Sequence, residues 1–166
     1  MLGTFSNLPS TSRVWVHYSI KELTETDKKE LGGLLDDFCK SWTAHNEALV
    51  AAWKWEGSHF LFLGVDESQV GASGCSIDKS IRLLREIETQ KGISFLERDA
   101  VPYKNNEGEI SFVKILGMKA AIQAGTIHAN TILFNTSVSE MLQLQNEWQQ
   151  KAGKSWAKRY FPEVNV

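Results

Sequence analysis

Apolar residues recur along this chain in short blocks of two different periods, and the blocks follow one another in a definite order. Arg13-Val-Trp-Val-His-Tyr-Ser-Ile20 is rich in β-branched and aromatic residues, which predicts a strand. Next, Leu31, Leu34, Leu35, Phe38 and Trp42 recur at offsets of three, four, seven and eleven, one face of a helix. Thr26 or Asp27 is placed to cap it. Gly32-Gly33 costs that helix about 1 kcal/mol per glycine relative to alanine, so its first turn is expected to start late.

Ala48 to Trp55 and His59 to Val65 read as two strands joined at Glu56-Gly57-Ser58, a hairpin signal. Leu49, Ala51, Trp53 and Trp55 share one face of the first strand, with Val50, Ala52 and Lys54 on the other. The loop Gly71-Ala-Ser-Gly-Cys-Ser76 then opens a helix from about Ile77 to Lys91, with Ile77, Ile81, Leu84 and Ile87 inward and Gly92 as its stop. Ile93 to Tyr103 and Ile110 to Leu116 read as strands, and Met118 to Ala124 as a short helix ending at Gly125. Thr131 to Phe134 reads as a strand. Ser137-Val-Ser-Glu140 has the form of a capping box for a last helix carrying Met141, Leu144 and Trp148.

Residues 13–103 therefore follow the order β-α-β-β-α-β. That is the split βαβ order of a ferredoxin-like sandwich, two helices on one face of an antiparallel sheet. Residues 104–166 would extend the sheet and add helices, and the whole reads as a single α+β domain over 1–166. An apolar share of 42% and a charged share of 23% suit a globular chain with a real core.

Charge and cysteines narrow the classes of function. A formal net charge of -2 gives no general attraction to nucleic acid, and the cluster Lys151, Lys154, Lys158 and Arg159 reads as a solvated face. No stretch reaches the ~20 apolar residues of a membrane span, and the first residues lack the basic start and apolar core of a secretory signal. Cys39 falls in a helical pattern and Cys75 in a polar loop. No structural disulfide is expected, and the cytoplasm is the expected compartment.

The most distinctive segment is Ser73-Gly74-Cys75-Ser76-Ile77-Asp78-Lys79-Ser80. It lies between a predicted strand and a predicted helix, where free N–H groups and the helix dipole favour an anion. Three readings stand side by side. Ser73, Gly74, Cys75, Ser76 and Asp78 cradle a small anionic ligand; Cys75 is a reactive thiolate; or Ser76 caps the helix, Gly74 makes the bend and Asp78 sits in a favourable first turn. A phosphate loop needs glycine at its first position and directly before the lysine. Ser73 and Asp78 stand there, so a Walker-type ATPase is disfavoured.

A thiol enzyme needs a base, and His45 is the candidate because it follows Trp42 just past a helix end. His17, His59 and His128 fall in strands or near a turn. No metal-ligand spacing appears and no cofactor is expected. The carboxylates Glu97 and Asp99 share one strand face, and a solvated strand end accounts for them. Trp156, Tyr160 and Phe161 in the tail are placed to dock it, to line a pocket or to form a contact between subunits.

The stretch from Trp42-x-x-His45 through Ser73-Gly-Cys-Ser-Ile-Asp-Lys-Ser80 to Ser155-Trp156 resembles a family of small, uncharacterised bacterial proteins, sometimes labelled ABC-transporter ATPases. That resemblance implies no established activity, and the residues at the phosphate-loop positions conflict with the label. The expectations are thus a domain, a candidate homodimer, that binds a small anion at 71–80, a thiol-dependent enzyme or redox protein using Cys75, or an assembly module using the aromatic tail.

Overall fold

The computed structural model describes residues 1–163 and is an α+β protein built on antiparallel sheets. The chain divides into two compact units, Met1–Glu97 with Ser137–Gln145, and Arg98–Thr136 with Asn146–Val166.

In the first unit a three-stranded sheet has the order β1-β5-β4, with β1 spanning Arg13–Tyr18, β4 Val50–Glu56 and β5 Phe60–Asp66. Two helices, α1 (Glu25–Ser41) and α2 (Gly74–Lys91), cover one face. Alternation explains which side chains meet them. Leu61, Leu63 and Val65 of β5 and Ala51 of β4 are buried there, with Trp53 and Trp55 packed alongside. From the helices come Leu31, Leu35, Cys39, Leu84 and Ile87. Between α1 and β4 lies a two-residue hairpin, β2 (Thr43–Ala44) with β3 (Glu47–Ala48), so the strand expected from Ala48 begins at Val50.

Gly32 is buried with the Trp53 ring against it, where an added Cβ would lie 3.2 Å from the ring. The helix gives up propensity there and gains a close seat on the sheet. Accordingly α1 runs unbroken through Gly32-Gly33 and starts early. Its cap is Thr24, in a reciprocal capping box with Asp27, in place of the expected Thr26 or Asp27. Leu34, expected inward, is exposed.

The segment 93–97, expected to open a fourth strand, forms none. Ile93 and Phe95 bury their side chains in the helix–sheet core without entering a ladder. The edge of β1 is met elsewhere: Val14 N–H donates to the Ser139 carbonyl and Met141 N–H to the Ser12 carbonyl, both at 2.9 Å. Residues 139–141 thus stand beside β1 where a fourth strand would pair.

The second unit has a four-stranded antiparallel sheet of order β7-β6-β8-β9, with β6 spanning Ala100–Lys104, β7 Ile110–Lys114, β8 Ile132–Phe134 and β9 Gln149–Lys151. The short helix α3 (Met118–Gln123) packs its own core, in which Val101, Tyr103, Met118, Ile127, Leu133, Ala152 and Ala157 are buried. Tyr160 and Phe161 of the tail pack against that core, while Trp156 stays exposed. The last helix, α4 (Met141–Glu147), starts after the expected box. Gln143 Oε1, one turn later than predicted, accepts from the Ser139 N–H at 2.9 Å, and Trp148 lies beyond the helix end.

Candidate functional site

Most of the segment singled out from the sequence is helix. α2 begins at Gly74 rather than near Ile77, and its N-cap is Ser73, not Ser76. Ser73 Oγ accepts from the Ser76 N–H at 3.2 Å, and Ser76 Oγ accepts from the Ser73 N–H at 2.7 Å. One further donor is taken by Glu67, whose Oε2 accepts from the Ala72 N–H at 2.7 Å. The N–H groups of Ala72, Ser73 and Ser76 are therefore engaged by the chain's own side chains, one of them a carboxylate. Ser76 is fully buried and Ser80 nearly so, whereas Gly74, Cys75 and Asp78 face solvent.

Cys75 is a free, exposed thiol on the first turn of α2. Cys39 is free and buried, and burial pushes its thiol up to about 12. His45 sits with Asn46 in the turn between β2 and β3, where both residues have positive φ (51° and 66°) and His45 is exposed. This two-residue turn matches the twist of its flanking strands, and it places His45 in a hairpin loop, outside the last turn of α1. Among the described residues no hydrogen bond joins Cys75 to a histidine. His59 Nδ1 donates to the Ser19 carbonyl at 2.8 Å. Asp99 is paired with Lys114 at 2.8 Å, which holds its carboxyl below the ordinary value. No group of three or more His, Cys, Asp or Glu among the described residues stands close enough to hold a metal ion, and no described helix is long and apolar enough to cross a membrane.

A cavity of about 260 Å³ lies where the end of α1 meets the first half of α2. Phe38 and Trp42 form its aromatic side, their ring centroids 4.8 Å apart. Lys79, Arg82, Leu83 and Glu86 line it from α2. Helical spacing explains the pairing of cations, since positions three apart lie on one face. Lys79 Nζ donates to Thr43 Oγ1 at 3.2 Å, and neither Lys79 nor Arg82 is in an ion pair among the described residues. Three other surface clefts differ in sign. They bring Arg13 with Glu67 and Glu140, Lys29 with Glu25 and Glu30, or Lys28 and Lys29 with Glu25 and Asp36. At the α1–α2 groove alone of these four, cations outnumber carboxylates.

Of the residues expected to bind, the structure gathers Ser73, Gly74, Cys75, Ser76 and Asp78 on two turns of one helix, with the groove beginning one residue later at Lys79. Arg82, Phe38 and Trp42 were absent from the expected site. Their signal was present as a Lys79–Arg82 spacing of three and an aromatic stripe on α1, but that stripe also has the form of core packing. Comparison of the chain with protein-family models, curated proteins and solved structures gave no match.

Proposed function

We propose that the chain is a binding domain for a small aromatic or otherwise partly apolar carboxylate, held in the groove between α1 and α2. The observation that carries this reading is two cations without carboxylate partners among the described residues, Lys79 and Arg82, beside the half-buried ring of Phe38. A guanidinium presents a planar fork that a carboxylate matches with two hydrogen bonds, and an ammonium supplies a point charge next to it. The ligand's apolar body lies along Phe38 and Leu83. Glu86 on the rim repels a second negative charge and so favours a monoanion. The volume suits a fragment-sized ligand. Ser41 also lines the groove, but its hydroxyl donates to the Asp37 carbonyl at 2.9 Å and not to a base, which favours binding over turnover. The two unbridged thiols suit a reducing compartment, and a cytoplasmic location belongs to the same proposal.

Titration with benzoate, followed by amide and indole NMR resonances, tests the reading. The Lys79, Arg82 and Leu83 amides and the Trp42 indole are expected to shift with saturation. Benzamide, of nearly the same shape but uncharged, should bind about tenfold or more weakly, as should benzoate to Arg82→Glu. Equal effects of benzoate and benzamide, or resonances that do not move, would remove the proposal.

A further inference from the structure

The outer edge of β4 is only half closed. At Ala51 the N-terminal segment runs beside it in a parallel bridge through Leu2. There Ala51 N–H donates to the Met1 carbonyl at 3.0 Å, and Gly3 N–H donates to the Ala51 carbonyl at 2.7 Å. Beyond Gly3 the chain turns away into the 3₁₀ helix Phe5–Asn7. Backbone groups of a strand alternate in direction, so those of Trp53 and Trp55 face the same side as Ala51. Among the described residues no backbone hydrogen bond meets them there. Such an edge is a template for another strand.

We propose that this edge pairs with the same edge of a second copy of the chain, antiparallel, with Trp55 opposite the partner's Trp55. A two-fold axis allows three registers here, and named residues decide among them. An axis at Trp53 would set Trp55 against the partner's Ala51, whose backbone the N-terminal segment already occupies. An axis at Lys54 would set two lysines face to face, and like charges directly opposite are destabilising. The axis at Trp55 avoids both. It sets Lys54 opposite the partner's Glu56 and Glu56 opposite the partner's Lys54.

Lys54 Nζ already lies 2.8 Å from its own Glu56 carboxylate, so four charges of alternating sign would surround the axis. On the other face, Trp53 and Trp55 meet edge to face with centroids 5.4 Å apart. They border an open cleft with Gly32 and Gly33 of α1. The chain's own Trp53 ring fills the space at Gly32, while a Cβ at Gly33 would meet nothing within 4 Å, so the cleft is open on that side. The pairing would join two three-stranded sheets into one of six strands. It is independent of the α1–α2 groove, which lies at the other end of α1.

Sedimentation equilibrium of the full chain tests the association. A reversible dimer is expected at about 0.1 mM, as befits a small interface. Lys54→Glu or Glu56→Lys should each weaken it by about tenfold or more, and the double exchange Lys54→Glu with Glu56→Lys should restore it. Circular dichroism reports separately that each variant is folded. Register is read by cross-linking in a Cys75→Ser background. Opposed residues of a non-hydrogen-bonded pair lie about 4.5 Å apart at Cα, within disulfide reach. A mixture of Lys54→Cys and Glu56→Cys chains should therefore form the mixed disulfide, while neither chain alone does. A monomer at every concentration overturns the proposal and leaves the edge to a different chain. A dimer indifferent to single charge reversal, or cross-linking of either variant with itself, overturns it as well.

Discussion

The indole N–H of Trp42 donates to the backbone carbonyl of Ser76 across 2.8 Å, with both residues almost completely buried. Trp42 is the residue at which α1 ends and Ser76 lies in the first turn of α2. One bond therefore ties the exit of one helix to the entry of the next. It sets the spacing of the two walls between which Lys79 and Arg82 face Phe38.

Replacing Trp42 by Phe removes that donor and part of the ring volume. A loss of about 1–3 kcal/mol in unfolding free energy is expected from the broken hydrogen bond and the void together, read as a lower urea midpoint at unchanged m-value. A variant as stable as the parent would show that the bond contributes nothing to the helix junction.

Gly64 lies on the sheet face opposite the two helices, beneath Leu8 and Phe5. A Cβ there would stand 2.5 Å from Leu8 Cδ1 and 3.2 Å from Phe5 Cε2. Gly64→Ala is expected to destabilise by about 1–3 kcal/mol through overpacking. Adding Leu8→Ala should return part of the loss, because the two sites share a contact. Strict additivity in thermal or urea unfolding would argue against that clash.

Acid should loosen the start of α1. The Asp27 carboxyl is held below its ordinary 3.8, first by the backbone N–H of Thr24 and then by the Thr24 side chain. A carboxyl depressed in the folded state contributes stability above its unfolded pKa, and that contribution disappears as pH falls through the folded value. Melting temperatures of the parent and Asp27→Asn should therefore differ at neutral pH and converge as pH drops below 3.8. A difference that persists unchanged in acid would exclude this carboxylate as its source.

The two thiols should separate cleanly. Cys75 is exposed, whereas Cys39 is buried with its thiol pushed up to about 12. Iodoacetamide is expected to label Cys75 in the native chain and to reach Cys39 only in denaturant, as read by mass spectrometry of peptides. Native labelling of Cys39 would mean that the core around Trp42 and Leu49 opens far more often than its burial implies.

What could be read from the chain followed from how local each signal is. β1, the β4–β5 hairpin and the stop at Gly92 came through because two-residue alternation and turn chemistry depend only on neighbours. The fourth strand was misread because Ile93 and Phe95 alternate as strand residues do, yet bury their side chains without a ladder. The start of α2 was set late because Ile77 looked like its first apolar position; the reciprocal Ser73–Ser76 box lies before it and carries no apolar signal. The groove was hidden for another reason. Lys79 and Arg82 gain meaning only once Phe38 and Trp42 of α1 stand across from them, and that pairing is tertiary.

The bridge between Arg13 and Glu140 has a consequence for the order in which the protein can be completed. During synthesis β1 emerges well before Ser139 to Met141, which meet its edge. Throughout that interval Val14 must leave its N–H to water or to whatever else is nearby. A ribosome-bound chain halted before residue 137 should therefore be more open to chaperones and to proteases at β1 than the released protein, since segments fold as units only once all their parts are available.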